Sequence, residues 1–155
     1  MGLDMYLKAK RFLSAYNDED KEVLEALDAI PGVDLGGMAV RELSYEAMYW
    51  RKANHIHKWF VDKVQGGNDD CGHYRVSEEQ LQELLTTCKA VLADRSLAPQ
   101  LLPTQSGFFF GGVEYNDWYF QDVRDTATRL EELLKLNSRS TAAKRWISFE
   151  YHSSW

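Results

Sequence analysis

Apolar residues recur along this chain in two rhythms, and the switches between them mark out its elements. Residues 3–13 alternate loosely, with Leu3, Met5, Leu7, Phe12 and Leu13 as the apolar positions, which predicts an opening strand. Residues 18–30 (DEDKEVLEALDAI) predict a short acidic helix with Val23, Leu24 and Leu27 on one face, stopped by Pro31-Gly32. After a loose turn at Gly36-Gly37, residues 38–45 predict a second strand carrying Met38, Val40 and Leu43. Residues 46–64 predict the first long helix. On a wheel of about 100° per residue, Trp50, Ala53, Ile56, Phe60, Val61 and Val64 share a broad apolar side, with Tyr49 at its edge.

A glycine-flanked loop follows at residues 65–72, then a short strand at residues 73–76. Ser77 with Gln80 three positions on is a capping-box pattern, and it predicts the start of a helix. The stripe Leu81, Leu84, Leu85, Cys88, Val91 and Leu92 has the spacing of a buried face and places Cys88 in the core. Residues 94–107 read as a loop with Pro99, Pro103 and Gly107. The run Phe108-Phe109-Phe110 between glycines predicts a short buried segment. Asn116 or Asp117 is expected to cap a third helix over residues 117–136, followed by a polar stretch and a last strand at residues 146–151. Strands at both ends with helices between predict one α+β domain over residues 1–155. It should hold a small, partly antiparallel sheet packed by about three main helices plus the short acidic helix.

Composition narrows the setting. The chain has 155 residues, enough to bury a core without crosslinks. A net charge of -6 opposes non-specific binding to nucleic acid or to anionic membranes. The two cysteines, Cys71 and Cys88, and a start without the basic n-region of a signal peptide point to a reducing cytoplasm. No apolar run approaches the roughly 18 residues of a spanning helix, so no membrane is expected.

Some residues look surplus to folding. Asn54 and His57 fall within the apolar side of the residue 46–64 helix and need partners there; His57 is also a candidate acid or base. The opposite side gathers Arg51, Lys52, His55, Lys58 and Lys63 around Trp59. Cations beside an aromatic ring suit a nucleotide, another phosphorylated ligand or an acidic protein surface. Trp118 falls off the apolar stripe of the third helix, in its first turn, where orphan amides favour an anion. The loop before it, with Gln105 and Ser106, completes a candidate recognition surface of Arg51, Lys52, His55, Trp59, Gln105, Ser106 and Trp118. The Gly107–Gly112 stretch lacks the Lys-Ser/Thr pair of a phosphate loop. His57, Asp69, Asp70 and Cys71 are the weak catalytic candidates. No second ligand cluster or Cys-x-x-Cys spacing accompanies them, so neither a metal nor a cofactor is expected.

Several blocks of wording are specific. They are Gly2-Leu3-Asp4-Met5-Tyr6-Leu7, the segment Tyr49–Asn54 with Ile56-His57 and Trp59-Phe60-Val61, and Val64-Gln65 with Asp69-Asp70-Cys71. They continue with Leu101–Gly111, Glu114-Tyr115, Trp118-Tyr119, Phe149-Glu150-Tyr151 and Ser153-Ser154-Trp155. In these blocks the chain resembles an uncharacterised family of phage and prophage accessory proteins. The resemblance implies a protein carried by mobile elements and acting in a bacterial host cytoplasm. Three functions stand as expectations. The first is a non-catalytic binder of a nucleotide-like or other anionic ligand, or of a host protein. The second is a small nucleotide- or phosphoester-processing enzyme, and the third is a self-associating subunit.

Overall fold

A computed structural model of the protein describes residues 2–155. It is an α+β fold with a four-stranded antiparallel sheet in the order β2-β1-β4-β3. The strands are β1 (Asp4–Phe12), β2 (Glu42–Arg51), β3 (Tyr74–Val76) and β4 (Ile147–Ser154). The helices are α1 (Asp18–Asp28), α2 (Asn54–Lys63), α3 (Glu78–Ala93), the single turn α4 (Ala98–Leu101) and α5 (Asp117–Ala142). Every pairing is antiparallel, so the sheet goes further than the partly antiparallel one expected.

The alternation in β1 has the predicted consequence. Met5, Leu7 and Ala9 point into the core with Trp50 of β2 and Phe149 and Tyr151 of β4. Asp4, Tyr6, Lys8 and Lys10 take the other face. Helices α2, α3 and α5 cover the core face. Phe60 of α2 stacks on Tyr151 at 3.9 Å and meets Trp50 edge-on at 5.9 Å. Removing a fully buried ring such as Phe60 costs about 3–5 kcal/mol. The capping box at Ser77 is formed in both directions, and Cys88 is in the core, where burial pushes its thiol up to about 12. Among the described residues no helix is long and apolar enough to cross a membrane.

The largest departure from the sequence reading lies in residues 46–64. Only Asn54–Lys63 is helical, and residues up to Arg51 belong to β2, which takes in the second half of the strand expected at residues 38–45 and leaves the first half as loop. The cause is a β-bulge. Leu7 faces Met48 while Lys8 faces Glu46, which leaves Ala47 as the extra residue. The bulge breaks strand alternation, and the apolar residues at 47, 50, 53 and 56 then imitate a helical period. Arg129 of α5 donates Nε to the carbonyl of Ala47 at 2.7 Å, so the bulge also anchors a helix. Two further corrections are local. The polar stretch after residue 136 continues α5 to Ala142. The Phe108–Phe110 run is not a buried segment: Phe108 is 96% exposed, and only Phe110 is fully in the core.

Candidate functional site

Four of the predicted recognition residues meet at one place. Arg51 ends β2, Lys52 turns the chain with φ 59°, and α2 starts at Asn54. Opposite stand the first turns of α5 and the loop before it. Between them lies a cleft of ≈ 300 Å³, lined by Arg51, Lys52 and His55 on one side and by Glu114, Trp118 and Asp122 on the other, with Tyr119 and Asn54 also on its walls.

Backbone and side-chain bonds hold these walls together. Leu3 accepts from the Lys52 amide at 2.8 Å and donates to the Phe109 carbonyl at 3.0 Å. Asn54 donates Nδ2 to the carbonyls of Phe110 (2.9 Å) and Gly112 (2.8 Å), and its Oδ1 accepts from the Gln105 amide at 3.0 Å. This buried side chain therefore laces the 104–112 loop to α2, which is its structural job. Gly111, at φ 84°, packs so close to Lys52 that a Cβ there would sit 3.1 Å from the lysine's own. Asn116 caps α5 by accepting from the Tyr119 amide at 3.2 Å, leaving the Asp117 and Trp118 amides at the helix end without an acceptor among the described residues.

Among the described residues Arg51, Lys52, Glu114 and Asp122 form no ion pair. Burial, with a smaller push from Asp125, raises the Asp122 carboxyl to about 6. His55 is 3% exposed and its ring centre lies 4.1 Å from that of Tyr119. Burial pushes it down to about 3, so it is neutral at physiological pH. Its Nε2 has no hydrogen-bond partner. Trp118 is 81% exposed at the rim.

The remaining predicted residues fall elsewhere. Trp59 was expected on a polar helix face, but it is 5% exposed and packs in the core. It also borders a second, smaller cleft of ≈ 210 Å³, which shares His55 with the first. The wheel failed because the turn at Lys52 resets the helical phase, and α2 is enclosed on nearly every side. Gln105 and Ser106 sit on the adjoining loop and do not line the cleft; Gln105 contributes its backbone. The sequence reading missed Asp122 and Glu114. Asp122 lies one turn after Trp118 on α5, a spacing that was available to it.

Two of the four catalytic candidates, His57 and Asp69, fall in a separate, closed network. Tyr151 stays protonated, because burial foremost raises its pKa, and it donates to His57 Nδ1 at 2.7 Å. His57 then donates Nε2–H to Asp69 at 3.0 Å, and Trp155 donates its indole N–H to the same carboxylate at 3.1 Å. Every donor has an acceptor. His57 and Tyr151 have no solvent-exposed surface. Asp70 holds the loop turn: the Gly72 amide first, then the Tyr74 hydroxyl, keep its carboxyl below the usual range. Cys71, half-buried at φ 57°, is a free thiol with no hydrogen bond to His57 or His73. Among the described residues no group of three or more His, Cys, Asp or Glu could hold a metal ion.

No family model matches this chain, and comparison with curated proteins and with solved structures finds no match either.

Proposed function

We propose that this protein is a non-catalytic binding protein for a small anionic ligand, taken up in the cleft between the β2–α2 turn and the start of α5. One observation carries the reading: two cations without ion-pair partners among the described residues, Arg51 and Lys52, face the amide-bearing end of a 26-residue helix across a cleft. Cations and free helix-end amides attract the same ligand charge. Lys52 strengthens the case. A left-handed backbone at a lysine costs about 1–2 kcal/mol, and such outliers gather at functional sites. The resemblance to phage and prophage accessory proteins fits sequestration of a host-cell small molecule, and it belongs to the same proposal.

The test is calorimetric titration with inorganic phosphate at low ionic strength. Saturable binding that falls at least tenfold in the Arg51→Ala/Lys52→Ala double variant, with an unchanged melting temperature, is the expected outcome. Added salt weakens it further, because the contact is charge-led. Equal binding by both proteins removes the proposal.

The enzyme reading has less support, since an acid or base must reach its substrate and His57 and Tyr151 are enclosed. Self-association has one observation behind it: Phe12, Tyr16 and Trp146 stand exposed around a single cleft at the far end of the sheet. One monomeric species at all concentrations in sedimentation velocity would dismiss it.

A further inference from the structure

Among the described residues, charges of both signs in the cleft have no ion-pair partner. Arg51 and Lys52 lie on the wall made by the β2–α2 turn. Glu114 and Asp122 lie on the wall made by α5 and its preceding loop. The cations and carboxylates of the cleft, with Arg51, Lys52 and Glu114 exposed and Asp122 half-buried, meet only solvent while the cleft is open. The occupant that satisfies both is dipolar, with an anion at one end and N–H donors at the other. Asp122 makes no side-chain hydrogen bond among the described residues and is half-buried, so it lacks both a partner and full hydration. A carboxylate in that state gains from an N–H donor.

Two more features narrow the chemistry. Among the described residues Trp118 stands exposed at the rim with no ring packed on it, while the His55 and Tyr119 rings, tilted by 37° to one another, form aromatic wall. A planar heterocycle is the group that such surfaces take. The volume, ≈ 300 Å³, sits at the small end of ligand pockets and suits one nucleotide rather than two.

We infer that the ligand is an amino-bearing nucleoside monophosphate. Its phosphate lies against Arg51, Lys52 and the α5 amides, its ring lies on Trp118, and its amino group donates to Asp122 with Glu114 beside it. This inference rests on the anion-binding reading above and adds the base to it.

The experiment titrates the full chain with AMP, CMP, UMP, adenosine and inorganic phosphate, each against wild type, Asp122→Ala and Glu114→Gln. AMP or CMP should bind at least tenfold more tightly than phosphate. Asp122→Ala should bring AMP and CMP to the level of UMP, while phosphate binding is kept or tightened by the lost negative charge; Glu114→Gln, on the exposed loop, reads the same wall should Asp122→Ala not fold. Trp118→Ala should weaken the nucleotides and spare phosphate. If phosphate binds as tightly as every nucleotide, the anion reading stands and the base inference falls. If nothing binds, both fall. If UMP equals AMP and CMP, the amino contact is overturned.

Discussion

The two polar clusters of this molecule differ in one respect: the network around His57 has a partner for every donor, and the cleft around Arg51 does not. Both draw on α2, and His55 and His57 are only two residues apart. Yet His57 sits between Tyr151 and Asp69 in a closed chain of hydrogen bonds, whereas His55 keeps an orphan nitrogen in a wall lined with unpaired charge. A satisfied, buried network is explained by folding alone. Unspent hydrogen-bonding capacity beside open space is not.

The sharpest way to break this comparison is to remove His57. His57→Ala strands the Tyr151 hydroxyl, takes one of the two donors from the Asp69 carboxylate and opens a void, so we expect a loss of about 3–5 kcal/mol in urea unfolding. Ligand affinity of the folded fraction should stay the same. A stable variant with altered ligand affinity would falsify the division into structural and binding clusters.

Acid should discriminate next. The His55 pKa is depressed in the folded protein, so the unfolded chain takes up a proton first. Stability from this residue is complete above about pH 6.5 and is lost as pH falls toward 3. The loss reaches about 3 kcal/mol by pH 4. Urea unfolding of His55→Leu should show a correspondingly smaller drop between pH 7 and pH 4. An identical drop in the variant assigns the acid sensitivity elsewhere.

Asp122 offers a milder effect on affinity. Its carboxyl titrates near pH 6, facing Arg51, Lys52, Glu114 and the neutral His55, with Asp125 beside it on α5. Protonation removes a negative charge from the cleft. Sulfate, whose own charge is constant there, should bind several-fold more tightly as pH falls through 6, and Asp122→Ala should flatten the profile. The smallest expected change is in Lys52→Gly. Relief of the left-handed lysine should hold stability within about 1 kcal/mol of wild type. Phosphate affinity should still fall with the lost cation. Thermal melts and titrations read the two effects separately.

Local signals carried well from the sequence. The cap at Ser77, the stripe through Cys88 and the cap at Asn116 each depend on neighbours within one helical turn, and each is formed as read. Strand β2 did not carry, because its bulge is set by pairing with β1, a partner far away in the chain. Arg51, Lys52 and His55 were singled out on a continuous helix that does not exist. They meet because a strand end, a turn and a helix start converge. Trp118 was legible from its own helix. Asp122 and Glu114 acquire meaning only once α5 is laid across β2.

That laying-across is tied to β2 at two points, the bond from Arg129 to the Ala47 carbonyl and the buried bond from Trp50 Nε1 to Thr126 Oγ1 at 2.8 Å. Deleting residue 47 would produce a smoother strand: Glu46, Met48, Tyr49, Trp50 and Arg51 would keep their present partners on β1 in unbroken alternation. The supernumerary residue is thus a fiducial mark. It ties α5 to the sheet about three helical turns from Trp118, and the Trp50–Thr126 bond repeats the tie nearer the cleft. A gene that lost this one codon would lose a buried alanine of the core together with the carbonyl that Arg129 grips.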